Sequence, residues 1–390
     1  GQCQCAVCGG YRSFPLRIPM SYTLYGTSFS YFTGKLRSFL RFKGVPFEEV
    51  VANAQVYGEI IIPQTGVRFI PVLQTPAKEF LQDTSAIMDR FETDRIGPTA
   101  HPPGPRQRIT ALLIELFADE FLTLPGMHYR WNFEEGLSEI YRHFGSMTLP
   151  DATPEEQEKL GKANGAYFKS IAPKLGATPD MYATIETWTE DLLRLLDAHF
   201  QTHPFLLGNT PCFGDFGLLG PLYAHLYRDP VPAKMMRRVA PNVCAWVERM
   251  NALTPASAGA FLPNDEVPVT LHPILRCIFG EQWPVLIDTD AAVYHWYQQQ
   301  QNTELPRKLG SHSFTLRGKQ GVRLILPWSL WKRQRVLDAL SALPPASASS
   351  VLTFLTSVGG REALERPTRV RVGRVHNKVV ITAAPLMARL

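Results

Sequence analysis

The sequence predicts a small α/β unit of about 70 residues, followed by a helical bundle and then a further segment of mixed helix and hairpin character. Three observations carry this. From Tyr22 to Glu92, short β-type runs alternate with a helix-period pattern. "DRIGPTAHPPGPRQ" (94–107) then breaks the chain with four prolines and two glycines. Beyond it, long apolar-striped stretches dominate until about Pro255, where aromatic-rich helices and two turn-centred strand pairs take over.

In the first unit "YTLYG" reads as a strand and "GKLRSFLRFKG" as a helix ended by Gly44; "FEEVVA" reads as a strand. A loop, "FIPVLQ", "EFLQ" and the helix "DTSAIMDRFE" follow. Pro71 cannot donate to a sheet ladder, so it belongs at a strand start, an edge or a cis turn. In the bundle, "RITALLIELFADEFLTLPGMHYRW" reads as one long helix, and "TPEEQEKLGKANGAYFKSIAPKL" opens with a Thr cap, Pro at the first helical position and acids in the first turn. "ATIETWTEDLLRLLDAHF", "FGDFGLLGPLYAHLYRD" and "PNVCAWVERMNAL" continue it. Later, "SHSFTLRGKQGVRLILPW" reads as a hairpin around Gly318 and Gly321, "WSLWKRQRVLDAL" as a helix, and "TRVRVGRVHNKVVIT" as a hairpin turning near His376–Asn377. The boundaries implied are an arm over 1–20, an α/β domain over 21–93, a linker over 94–104, a helical domain over 105–255, a helical and hairpin extension over 256–345, and a basic hairpin segment over 346–390.

Composition excludes some classes. No apolar run reaches the roughly 20 residues that span a bilayer. The net charge is +5, and residues 361–390 alone carry seven Lys/Arg against two Glu. The rest of the chain is therefore balanced, which gives nucleic-acid binding by the main body no electrostatic support. Six Cys in 390 residues are not a disulfide scaffold. Cys3, Cys5 and Cys8 cluster without the downstream pair a structural zinc site wants, so a partner-bound or flexible arm is expected there and no metal. Arg12, Ser13 and Arg17 in an acid-free leader fit a remnant of organelle targeting, and a cytosolic chain fits as well. The expected location is cytoplasmic, the alternative a mitochondrion or other organelle.

Four motifs in order carry a resemblance. Ser30-Tyr31-Phe32-Thr33-Gly34-Lys35-Leu36-Arg37 matches the turn and helix "S/C-P-F/Y-x-x-x-x-R", and Ile70-Pro71-Val72-Leu73 matches "V/I-P-V/A-L". Leu81-Gln82-Asp83-Thr84-Ser85-Ala86-Ile87 matches "L-x-E-S-x-x-I", and "PFLLGNTPCFGDFGLLGPL" matches "PFLLG-x-x-P-S-x-A-D-F". Over residues 22–250 the chain resembles the glutathione transferase superfamily, in a Ser-type, bacterial-like form with a C-terminal extension. The resemblance implies a thioredoxin-like α/β N-terminal domain, an all-α C-terminal bundle and an extra α+β extension.

It also implies roles. Ser30, at the start of the first helix, would stabilise the glutathione thiolate, since hydroxyl donation and the helix dipole add there. Ile70, preceding cis Pro71, would offer its free backbone N–H and C=O to the peptide. Thr84 at a helix N-terminus would hold the γ-glutamyl carboxylate and Asp83 would meet the ammonium of the same group. Phe69 stands where a lysine often helps hold the glycine carboxylate, and Arg68 beside it is the substitute. Tyr31 replaces the proline that usually shapes the catalytic turn, and Cys212 replaces the usual cap three residues before Asp215. The second-substrate pocket would lie between the domains, along Glu115, Phe117, Asp119, Phe121, His128, Tyr129 and Trp131.

Two functions follow as expectations. One is a glutathione transferase acting in detoxification, with glutathione as co-substrate and a hydrophobic electrophile or peroxide as second substrate. A thioltransferase using a Cys is disfavoured because the turn holds no Cys. The other is a non-catalytic scaffold in a larger assembly, organellar or not, suggested by the extra 130 or so residues and the Tyr31 and Phe69 departures. A homodimer or a place in a larger complex is implied, with no nucleic acid.

Overall fold

The computed structural model describes residues 21–384; the Cys3/Cys5/Cys8 cluster lies outside them. The first unit is a four-stranded mixed sheet in the order β2-β1-β3-β4, from β1 (Tyr22–Gly26), β2 (Phe47–Val51), β3 (Val72–Gln74) and β4 (Phe80–Gln82). β1 runs parallel to β2 and antiparallel to β3, with Tyr25 opposite Val50 and Val72. The parallel pair requires a crossover, supplied by α1 (Tyr31–Lys43). That helix ends on Gly44 in the left-handed conformation (φ 70°), whose N–H donates to the Arg41 carbonyl. Helical turns α2 (Ala54–Val56), a π-type turn Tyr57–Ile61 and α3 (Ile62–Thr65) bring the chain to a cis Ile70–Pro71 bond. After β4, α4 (Thr84–Thr93) closes the unit. One face of the sheet buries Leu24 and Leu73 under α1 and α4, while the other buries Tyr25, Ala52, Ile61 and Val72.

The bundle comprises α5 (Pro105–Glu120), α6 (Thr123–Trp131), α7 (Glu134–Ser146), α8 (Pro154–Ile171), α9 (Tyr182–Phe200), α10 (Phe213–Leu219), α11 (Pro230–Val239) and α12 (Pro241–Asn251). The single helix expected from Arg108 to Trp131 is two. Pro125 lacks an N–H, and its ring would crowd the Phe121 carbonyl, so the chain breaks at Phe121–Leu122. Pro221 acts similarly after α10, where the helix widens into a π-type stretch, Gly220–Tyr227. α8 begins with the capping box that the sequence announces: Thr153 Oγ1 accepts from Glu156 N–H, and the Glu156 carboxylate accepts from Thr153 N–H. Asp215 holds the bundle together. Its buried carboxylate accepts from the N–H groups of Leu206 and Cys212 and from the Trp246 indole, at 3.1, 2.9 and 3.0 Å.

The remaining chain does not form a separate lobe. α13 (His272–Cys277), the π-type turn Ile278–Gln282 and α14 (Trp283–Gln300) feed Leu275, Ile278, Trp283 and Leu286 into the same core as Phe117, Phe121 and Trp188. A hairpin of β5 (Ser311–Leu316) and β6 (Lys319–Leu324) turns at Arg317–Gly318, both with positive φ, as a two-residue turn of this hand requires. Gly321 lies within β6 rather than in the turn, because the Phe314 ring covers it; a Cβ there would come within 2.7 Å of that ring. α15 (Trp328–Ser341) and α16 (Pro345–Thr356) lie against α5. After α17 (Arg361–Glu365), β7 (Arg371–Val375) and β8 (Lys378–Ala383) form the last hairpin, turning at His376–Asn377. Among the described residues no helix is long and apolar enough to cross a membrane.

Candidate functional site

The turn between β1 and α1 is fixed from three sides. Ser30 is the N-cap of α1, with extended backbone (φ −80°, ψ 131°), and its Oγ accepts from the Thr33 N–H at 3.3 Å. The hydroxyl is half-buried and its own proton has no acceptor among the described residues. Tyr31, in the proline's place, is buried, and its hydroxyl donates to the Ala118 carbonyl of α5. Its ring packs edge-on to His225 at 5.4 Å and against Gly220, where any Cβ would collide with it. Burial, and then the nearby Asp119 carboxylate, hold this phenol well above its ordinary pKa, so it stays protonated. Tyr31 thus anchors the turn to the bundle through a side chain, where a proline would restrict it through φ. Arg130 does the same from α6: it pairs with Asp229 at 2.8 Å and donates to the Phe29 carbonyl at 3.1 Å.

The second group of expected residues sits across the sheet. Ile70 is half-buried and Pro71 buried. Arg68 is exposed, and its guanidinium lies 5.9 Å from the Tyr57 ring, away from Phe69. A different arginine covers Phe69. Arg307, from the segment between α14 and β5, stacks 3.9 Å over the Phe69 ring and 5.2 Å from Trp328.

Asp83 caps α4 from a left-handed backbone (φ 75°), its Oδ1 accepting from the N–H groups of Ser85 and Ala86 at 2.9 and 3.1 Å. Thr84 is 2% exposed and its Oγ1 has no hydrogen-bond partner. Asp83 lies beneath the C-terminal extension. Lys332 of α15 places its ammonium 3.1 Å from the Asp83 carboxylate, 2.6 Å from Ser85 Oγ and 3.2 Å from Asp119. Arg374 of β7 donates to the Gln82 carbonyl at 2.8 Å, and Asn377 donates to the Thr65 carbonyl at 2.9 Å.

These contacts belong to a larger buried network. Lys35 of α1 pairs with Glu115 at 2.8 Å and Asp119 at 2.7 Å, and the Ser85 hydroxyl donates to Glu115 at 2.7 Å. Arg335 bridges Glu115 (2.9 Å) and Asp89 (2.8 Å) from the α15 side. Burial alone would push the Asp83 carboxyl up. Lys332, Arg374 and Lys35 more than offset it and bring it down to about 2. Lys332, desolvated but facing Asp83, Asp119 and Glu115, is raised to about 12. The charges near this end of α4 are Asp83, Asp89, Glu115, Asp119 and Glu120 against Lys35, Arg307, Lys332, Arg335 and Arg374; four of these five cations come from the extension.

The expected second-substrate lining is not a pocket wall. Glu115 and Asp119 are buried in the ion-pair network, Asp119 through Oδ2 with its Oδ1 unpartnered, and Phe117, Phe121 and Trp131 are core. Tyr129 is core too. His128 is buried, bonded to Glu186 at 2.9 Å and to Asn132 at 3.0 Å. At helical spacing these positions face inward from α5 and α6, and the inward side is filled. Sequence reading missed Lys332, Arg335, Arg374 and Arg307. The one available signal was "WSLWKRQR", where Lys332 and Arg335 fall three apart beside Trp328 and Trp331. Cations on an aromatic-bearing helix face need buried acids opposite.

Residues 24–99 match the family model "Glutathione S-transferase, N-terminal domain", and residues 143–254 match "Glutathione S-transferase, C-terminal domain". Among solved structures, a beta-etherase from Sphingobium sp. strain SYK-6 aligns at 16% identity and a TM-score of 0.45, over 60% of this chain and 96% of that one. A GST-like protein from Pseudomonas syringae aligns at 22% identity and a TM-score of 0.39, over 64% and 78%. A glutathione S-transferase from Methylobacterium radiotolerans, solved in complex with glutathione sulfonate, aligns at 18% identity and 0.38, over 64% and 100%. No curated protein sequence matches the chain significantly. Residues 24–99 and 143–254, on a thioredoxin-like unit and a helical bundle, thus match the two glutathione S-transferase domain models in tandem, and over those residues the chain is similar to that superfamily.

Proposed function

We propose that the chain is a Ser-type glutathione transferase-like protein, in which the Ser30 hydroxyl stabilises a glutathione thiolate for attack on an electrophile or a peroxide. The observation that supports this most is the state of Ser30. Its oxygen is occupied by the Thr33 N–H, while its proton is left to donate outward at the positive end of a 13-residue helix. The cis Ile70–Pro71 bond and the start of β3 lie across the same sheet end. Ile70 offers backbone groups there for an extended peptide, with Pro71 shaping the turn. Thr84, with an unpartnered hydroxyl at the N-terminus of α4, suits a carboxylate. Arg307 over Phe69, rather than Arg68, is placed for the carboxylate at the other end of the tripeptide.

A second reading, a non-catalytic subunit of a larger assembly, is favoured by one specific observation. The extension lies over the α4 end of the site, leaving Asp83 8% and Thr84 2% exposed. Titration calorimetry with glutathione and a chlorodinitrobenzene conjugation assay separate the two. The transferase reading expects binding in the millimolar range and turnover that falls about 100-fold or more in Ser30→Ala. Turnover unchanged in Ser30→Ala removes the role given to that hydroxyl. Absence of binding up to ~10 mM glutathione, with co-purification in a large complex, favours the scaffold.

A further inference from the structure

We infer that the C-terminal extension carries a binding site of its own, for a small organic carboxylate with an aromatic body, held at Arg333 between α14, α15 and the segment from α17 to β7. The site is a cavity of about 500 Å³, a size typical of small-molecule sites. It lies wholly within residues 283–369, outside both family-model matches, and uses none of the residues given to the glutathione site. The inference therefore stands whether or not Ser30 acts as proposed.

One wall of the cavity is apolar. Trp283, Ile287, Ala291 and Tyr294 line it from one face of α14 at helical spacing, and Leu337 lines it from α15. Trp283 is 2% exposed and belongs to the core, so this wall is fixed by packing. Its rings, Trp283 and Tyr294, suit an aromatic body.

The charged lining is graded by burial: Arg333 is 5% exposed, while Arg366 and Arg369 are exposed. A guanidinium has five N–H groups. Arg333 uses one of them, on Nη2, to donate to Asp290 Oδ1 at 3.0 Å, and its Nε is buried without a partner. Asp290 is held from a second side, because its Oδ2 accepts from the Arg369 N–H at 2.8 Å. The same bond sets the 366–369 segment beside Arg333. Asp288, the other acid of the lining, is exposed, which leaves three cations against two acids.

Tying α15 to α14 would account for the Arg333–Asp290 pair alone. It leaves a buried guanidinium with donors to spare beside a cavity, and under-used buried donors are costly. A carboxylate matches the planar fork of arginine, and its single charge balances the odd cation of the lining.

The experiment is titration calorimetry on the full chain with 2-naphthoate and its uncharged isostere 2-naphthamide. The native chain is expected to bind 2-naphthoate with a sub-millimolar Kd and 2-naphthamide about tenfold more weakly or worse. Ala291→Phe fills the cavity from α14 without altering a charge and is expected to abolish 2-naphthoate binding. Replacing the two exposed cations together, Arg366→Ala with Arg369→Ala, is expected to weaken 2-naphthoate by about three- to tenfold and to leave 2-naphthamide unmoved. Ser30→Ala is expected to change neither affinity. The inference is overturned if 2-naphthoate gives no binding up to ~5 mM, if acid and amide bind alike, or if Ala291→Phe binds as the native chain does. Loss of 2-naphthoate binding in Ser30→Ala also overturns it, since the probe would then occupy the other site. If Ala291→Phe does not fold, the arginine pair decides: 2-naphthoate affinity unchanged in that variant overturns the inference.

Discussion

The two ends of the candidate site are held by different physics. At the Ser30 end, hydrogen bonds, aromatic packing and a single buried ion pair, all within residues 24–254, do the holding: Ser30 on Thr33, Tyr31 on Ala118 and His225, and Arg130, paired with Asp229, on the Phe29 carbonyl. At the Asp83 end a buried ion network does it, and three of its cations arrive from a segment more than 240 residues away in sequence. The first end is completed by the thioredoxin-like unit and the helical bundle. The second is completed only by the extension, which makes the extension part of the site and of the core rather than an appendage.

The comparison breaks most visibly at Lys332. Removing it in Lys332→Ala leaves Asp83 and Asp119 with a buried charge deficit. Urea unfolding is expected to show a loss of about 3–5 kcal/mol, where a surface lysine would cost within about 0.5 kcal/mol. Tyr31→Phe acts at the other end: it keeps the ring in its slot beside Gly220 and deprives the Ala118 carbonyl of its donor. The expected cost is about 1–3 kcal/mol by the same measurement. Ser30→Ala costs less in stability, about 1 kcal/mol for a lost helix cap, while its larger effect falls on turnover.

Acid titration sharpens the contrast without mutation. Asp83 is held down to about 2 from 3.8, so its stabilisation is complete above pH ~4 and is lost as the pH falls through its folded value. Stability should therefore decline between pH ~4 and ~2, and Lys332→Met should flatten that decline because the strongest counter-ion of Asp83 is gone. Chemical unfolding at a series of pH values reads this directly. The smallest effect belongs to Arg68→Ala. That side chain is exposed on Tyr57, so stability should stay within about 0.5 kcal/mol of the native chain.

The fold of the first 250 residues was legible because its signals are local. The period switch from β1 to α1, the Gly44 stop, Pro71 before β3 and the Thr153 capping box each act within a few residues. One long helix was misread for an equally local reason that apolar periodicity outweighed: Pro125 interrupts a run whose hydrophobic pattern continues through it, whereas Pro221 only widens its helix. The role of Tyr31 was less legible. Its missing proline suggested a looser turn, whereas the hydroxyl reaches the Ala118 carbonyl, a partner 87 positions on. The extension's part was barely legible: the run 328–335 shows cations on an aromatic-bearing helix face, but nothing near Lys332 states which acids lie opposite it. Charge balance over the whole chain hid this as well. The net excess sits in the last 30 residues, while the cations that matter are individually cancelled by buried partners.

The contact between Lys332 and Asp83 is the point on which the account turns, and a double-mutant cycle measures it most directly. Lys332→Met, Asp83→Asn and the double variant would be compared by urea unfolding at neutral pH. A coupling of about 2 kcal/mol or more is expected, with the double variant recovering part of the loss of each single one. Additivity within about 0.5 kcal/mol would contradict it.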